Sequence, residues 1–329
     1  MGPTHCKSIL QGVYAERPVS EHERMVKIRL PCLALLLVMP LAAADDWVDR
    51  IWSAASEDFV DESRLQESIA AADIILLGEI HDNPRHHVLQ ARMIEWATDG
   101  ARTPGIVLEM VGPEHEQALR DWQSADQPDP AALGAAVDWE QRGWPDWSIY
   151  QPIAETAIDY GLPLHAGAPD GERLRTVMRS GVDALSDTRR QALGLDRPLP
   201  SADRERLLAR LEAAHCGLSD HVPLESMLGA QRLRDAEMAR TLLDVQAEAG
   251  SAILIAGSEH VRRDYGVPVY LERLAGDIAE DITVVSVGLV PAEGLSSEHE
   301  RPPAERVAAF DYAWLTTGKA RTSPCGESS

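Results

Sequence analysis

Apolar residues in this chain gather in short runs bounded by polar residues, at 74–77, 106–110, 162–166, 252–256 and 282–287. A run of that length reads as a strand buried on both faces. Between the runs the apolar positions recur at helical spacing, over 86–98, 113–122, 152–160 and a long block at 202–249. Alternation of this kind predicts an α/β fold, with a mostly parallel central sheet flanked by helices. No strand-like run occurs in 171–249, which therefore reads as a helical insertion before the last strands. Within it Leu224, Leu228, Gln231, Asp235, Met238 and Leu242 share one helix face. Gln231 and Asp235 interrupt that apolar stripe, so they either brace a neighbouring loop or point into a site.

Two strands run directly into Gly-x-x-His turns: Ile74-Ile75-Leu76-Leu77 into Gly78-Glu79-Ile80-His81, and Ile253-Leu254-Ile255-Ala256 into Gly257-Ser258-Glu259-His260. Polar groups just past the carboxyl ends of parallel strands line the ligand crevice of an open sheet. Glu79, His81, Glu109, His260 and, at the end of the third strand, His165 and then Glu259 are expected at that edge. Glu79, His81, Glu109 and His260 form a donor set suited to zinc, iron or manganese. Without metal, Glu79 and Glu109 suit general acid and base work.

Asp82-Asn83-Pro84 opens a helix, with Asp82 or Asn83 as its cap. His86 and His87 are adjacent on that helix, so at least one of them is expected to face solvent. His115 and His221 are read as outside the site. Trp139, Trp144, Trp147 and Tyr150 crowd one loop, which can stack on a flat ligand or simply pack on the sheet. Tyr265 follows His260 closely. A tyrosinate can ligate haem iron, and Arg262 or Arg263 can pair with propionates.

Composition adds a compartment. Of 329 residues, 25–44 carry Lys27 and Arg29, then an apolar run, then Ala42-Ala43-Ala44. That order is a cleaved secretory signal, which makes 1–24 an over-extended leader and predicts a periplasmic protein. Cys32 has no lipobox around it, so no lipid anchor is expected. After cleavage 26 basic side chains face 50 acidic ones, a balance that repels nucleic acid and anionic membranes. No later segment is apolar enough to span a bilayer. Only Cys216 and Cys325 survive cleavage, and export would allow them to pair. The expected folded domain is 45–310, with a flexible tail at 311–329.

These motifs resemble the ChaN family of haem-binding proteins, within the Tiki/TraB/erythromycin-esterase-like superfamily. The resemblance rests on Leu77-Gly78-Glu79-Ile80-His81-Asp82-Asn83, on Leu108-Glu109-Met110, on 231–239, and on 257–268 with its Asp264-Tyr265-Gly266-Val267-Pro268. It implies an exported protein in haem or iron uptake, with haem held between two subunits of a homodimer and bound through tyrosine. Tyr265 and Tyr150 are both candidates for that ligand, with His81, His260 and Arg262 as further haem contacts. The superfamily also contains metal-dependent peptidases with paired Gly-x-x-His motifs, which makes a metal-dependent hydrolase the alternative. The family's strand-end Ala-Asn-x-Pro is Ala166-Gly167-Ala168-Pro169 here, without the asparagine.

Overall fold

The computed structural model describes residues 47–98, 102–215, 223–276, 281–293 and 301–318. The expected leader, the signal, His221 and all four cysteines lie outside the described residues. Eight strands are described: β1 (Ile51–Ser53), β2 (Asp58–Val60), β3 (Ile74–Glu79), β4 (Gly105–Leu108), β5 (Leu164–Ala166), β6 (Ala252–Gly257), β7 (Val284–Pro291) and β8 (Tyr312–Thr316). They form one sheet in the order β2-β1-β8-β7-β3-β6-β4-β5. From β8 to β5 every pairing is parallel, and only the short β1 and β2 add antiparallel pairs at one edge.

Helices cover both faces, which is why the central strands are apolar throughout. Ile75, Leu77, Ile253 and Ile255 pack with α1 (Glu62–Ala71), α2 (Pro84–Ala97), α3 (Glu116–Gln123), α4 (Pro130–Ala136) and α5 (Gln151–Asp159). No strand occurs among the described residues between β5 and β6, where α6 (Gly171–Ser180), α7 (Asp187–Ala192), α8 (Ser201–Ala214) and α9 (Leu224–Ala249) follow one another. Ile74, Leu76, Leu254 and Ala256 face the opposite way, against α9 and α10 (Val267–Ala275). Burying a Leu or Ile side chain fully contributes about 1.5–3 kcal/mol, so this double-sided core outweighs any single helix preference.

Three expectations need correction. First, the five strands expected become eight among the described residues, β1 and β2 being too short to stand out as apolar runs. Second, β8 lies within the stretch expected to be a flexible tail: all five of its residues are buried and it pairs with both β7 and β1. Asn83 Nδ2 donates to the Thr317 carbonyl at 3.1 Å, and His86 Nε2 lies 2.9 Å from Thr316 Oγ1. Third, neither His86 nor His87 faces solvent, since both are fully buried. The start of α2 is wedged between β8 on one side and the tryptophan-rich loop on the other, so diverging side chains both find cover.

Candidate functional site

The strand order decides where the two Gly-x-x-His turns meet. β6 lies between β3 and β4, and Glu79 of β3 is level with Gly257 of β6. Because side chains alternate along a strand, Glu79 continues the Ile75–Leu77 side toward α2 and the tryptophan-rich loop. Glu109, one step beyond Leu108, continues the Val107 side toward α9. The two carboxylates therefore lie on opposite faces of the sheet at one edge. His81 reaches across that edge.

His81 Nδ1 is 2.8 Å from Glu79 Oε1, and its Nε2 is 3.8 Å from Glu109 Oε2. Gly257 makes this possible, because a Cβ there would lie 3.0 Å from His81 Nε2. The Gly257 amide also donates to Glu109 Oε2 at 2.7 Å. Beyond Glu109 stands His260, whose Nε2 is 3.0 Å from Glu109 Oε1 and whose Nδ1 is 2.6 Å from Asp235 Oδ1. Gln231 Nε2 is 3.1 Å from the same Nδ1. The two polar residues of the α9 stripe thus point into the site.

On the other face, Tyr150 donates to Glu79 Oε1 at 2.6 Å and its ring lies on His87, with centroids 3.8 Å apart. Gln90 donates its amide to the Leu77 carbonyl, which turns its Oε1 toward His87 Nδ1 at 3.0 Å. His87 Nε2 meets the His81 carbonyl at 3.0 Å. Both ring nitrogens of His87 therefore face acceptors, and the geometry suits an imidazolium beside Glu79.

These contacts set the charges. Burial pushes the Glu79 carboxyl up, but His87 and His81 together outweigh it and hold it well below the usual carboxylate range. Burial likewise opposes ionisation of Glu109, which His260 and His81 keep charged. Burial disfavours the His260 cation, yet Glu109 and Asp235 raise it to about 10. Asp235, with burial dominant over the pull of His260, is raised to about 6. His81 is raised despite burial, through its bond to Glu79 and the charge of Glu109. His86, on which burial prevails, is lowered to about 4.

Glu79, His81, Glu109 and His260 are thus brought together as the paired turns suggest. Tyr150 joins them through Glu79, and Arg262 and Glu259 line the cleft above, but the remaining candidates do not meet these four. The His165 ring lies against Gly105 at the amino end of β4, away from the edge. Glu259 accepts from Arg210 and from the Tyr265 hydroxyl rather than from the two histidines. Arg262 pairs with Asp264 and lies over the Tyr265 ring, 4.8 Å from its centroid. Trp139 and Trp147 are buried and give their indole N–H groups to backbone carbonyls, so the loop packs on the sheet. Of its tryptophans only Trp144 approaches the site, edge-on to His81 at 5.0 Å. Arg234, 3.6 Å from Glu109, and His87 escaped the sequence reading; Arg234 neighbours Asp235 on a helix whose face was the only clue.

Above the edge opens a cleft of about 740 Å³, with His81, His260 and Gln231 on its floor and Leu289, Val290 and Phe310 among its walls. Its size falls within the range of small-molecule and cofactor sites. Among the described residues no group of three or more His, Cys, Asp or Glu side chains is disposed to hold a metal ion. The ring nitrogens of His81 and His260 are turned to carboxylates instead.

A family model described as haem-binding uptake, Tiki superfamily, ChaN matches residues 65–271, which includes both Gly-x-x-His turns and the helices between them. The chain belongs to the ChaN family. Among solved structures, ChaN of Campylobacter jejuni with cofacially bound haem is similar over 80% of this chain and 95% of its own, with a TM-score of 0.61 at 15% identity. At that identity the likeness shows the fold. The type III effector HopBA1 matches over 78% of this chain and 92% of its own, at 13% identity and a TM-score of 0.40. The erythromycin esterase EreC, in its open conformation, covers 73% of this chain and 77% of its own, at 14% identity and the same TM-score of 0.40. No curated protein matches this ChaN-family chain in sequence.

Proposed function

We propose that this protein binds haem in the cleft above β3 and β6, as an exported protein of haem or iron uptake. The observation that carries the reading is the exposure of one donor within a family of haem-binding proteins. The side chain of His81 retains 31% exposure at the cleft floor, whereas Tyr150 and Tyr265 retain 2% and 0%. Burial and a carboxylate partner push both phenols up, so a tyrosinate at either position would have to leave its acceptor. His81 would hold the iron by giving up its proton and the looser of its two carboxylate contacts, the 3.8 Å approach of Nε2 to Glu109, and Leu289, Val290 and Phe310 would exclude water from the porphyrin. Bound haem would supply the iron centre that uptake carries. Titration of the purified protein with haem should give a Soret band that His81→Ala shifts or abolishes. No band in the wild type would end the reading.

Export rests on the signal read in 25–44, and mass spectrometry of periplasmic protein should then find Asp45 first. A homodimer that shares two haems would assemble only with haem present, because a ligand of the assembled state stabilises it by mass action. Sedimentation with and without haem reads that out.

A hydrolase is the second reading, favoured by the row of Asp235, His260, Glu109, His81 and Glu79, whose one wide step is the 3.8 Å between Glu109 and His81. Strongly shifted titrating groups at a cleft mark candidate acid and base catalysts. In its neutral form, with Nδ1–H held by Glu79, His81 would take a proton on Nε2 from an attacking water. Ester hydrolysis that His81→Ala abolishes, in protein without haem, would support this reading over the first.

A further inference from the structure

A second cleft of about 710 Å³ adjoins the first, and the two share Arg210, Arg262, Glu305 and Arg306 in their linings. Its lining adds Arg206 and Arg263, so five arginines meet there beside only two acids, Asp264 and Glu305. This concentration stands in a chain of 53 acidic and 31 basic side chains. Most of the five are neutralised locally. Arg206 bonds Asp203, Arg210 bonds Glu259, Arg262 bonds Asp264 and Arg263 bonds Asp311. Arg306 differs. Its Nη2 donates to the Pro291 carbonyl at 2.8 Å, and no carboxylate among the described residues pairs with it.

We infer that Arg306, on the rim common to both clefts, is the anion-binding residue that receives a carboxylate of the ligand held above His81 and His260. The bond to Pro291 fixes the guanidinium at the end of β7 and uses one of its five N–H donors, which leaves the planar fork that matches a carboxylate. An arginine without an acidic partner is what an anion site needs in a strongly acidic protein, whose overall field repels anions. Placement on the shared rim lets an apolar body lie in the first cleft, against Leu289 and Phe310, while its acidic groups reach the arginines.

This inference rests on the haem reading for the source of the carboxylate, since haem carries two propionates. A free oxyanion would use the same chemistry, and the test separates the two sources. The probes are haem, haem dimethyl ester and inorganic pyrophosphate, each titrated into the full chain and into Arg306→Gln and Arg306→Lys. Wild-type protein should bind haem at least tenfold more tightly than the ester. Arg306→Gln should remove that preference by weakening haem alone, and Arg306→Lys, which keeps charge without the fork, should restore part of it. Loss of the Pro291 bond alone would weaken both porphyrins equally, so the preference separates anion binding from a structural role. Equal affinity of wild-type protein for haem and ester would overturn the inference and leave haem binding intact. Should neither porphyrin bind, the haem reading fails, and pyrophosphate decides: binding lost in Arg306→Gln keeps the anion site, while no binding to the wild type overturns it too.

Discussion

His81 and His260 address the two oxygens of one carboxylate, with Nε2 of His260 at 3.0 Å from Glu109 Oε1 and Nε2 of His81 at 3.8 Å from Oε2. The first histidine is the exposed end of this arrangement and the second is its buried anchor, backed by Asp235. Substitutions on the two sides should therefore behave differently.

At the exposed end the expected changes are spectroscopic. With haem bound through His81, Tyr150→Phe and Tyr265→Phe should keep the wild-type Soret maximum, whereas His81→Ala should move it or weaken binding at least tenfold. A charge-transfer band of tyrosinate ligation that disappears in either phenylalanine variant would transfer the ligand role to that tyrosine.

At the buried end the expected change is stability. Asp235→Asn leaves a hydrogen-bonding group beside His260 but removes one of the two negative charges that raise it to about 10. His260 should titrate lower by NMR, and denaturant unfolding should show a loss of about 3 kcal/mol, the scale for breaking a buried ion pair. A loss no larger than that of a surface substitution would mean the pair is already neutral.

His86 makes stability fall on the acid side. Its folded pKa is about 4 against an unfolded 6.5, so below pH 6.5 the unfolded chain takes up a proton that the folded one refuses until near pH 4. Melting temperature should decline across that window, and His86→Gln should flatten the decline. The His260 contribution has the opposite sign: it is complete below pH 6.5 and is lost as pH climbs through about 10.

Gly78 tests the packing of one turn on the other. A Cβ at this position would press on Val261 and approach Ser258 Cα to 3.0 Å, against backbone that cannot swing aside. Gly78→Ala should cost about 1–3 kcal/mol by overpacking, seen as a lower unfolding midpoint. Gly250→Ala, with nothing within 4 Å but a φ of 80°, should lose stability through backbone strain alone.

Much of this was legible in the sequence, for physical reasons. β3, β4, β6 and β7 are buried on both faces, so their apolar runs stand out, and parallel strands carry their following residues to one edge. Glu79, His81, Glu109 and His260 followed from that rule. Asp235 and Gln231 were visible as interruptions of an apolar stripe, but the spacing on α9 could not say what they met. β8 is hidden in the sequence because Thr316-Thr317-Gly318 looks like a polar end, although Tyr312, Trp314 and Leu315 just before it are buried. The burial of both His86 and His87 is not legible, because helical spacing shows that neighbours diverge without showing that both directions lead inward.

The insertion of β6 between β3 and β4 has a consequence for the order of events during synthesis. Glu109 leaves the ribosome 148 positions before the Gly257 amide that it accepts from. Until β6 has appeared, in the last quarter of the chain, β3 and β4 have no shared neighbour, and Glu109 lacks both the Gly257 amide and His260. A truncated or stalled chain therefore carries the first Gly-x-x-His turn without a working cleft. The cleft edge is closed only in the finished molecule, once Gly257 and His260 stand beside Glu109.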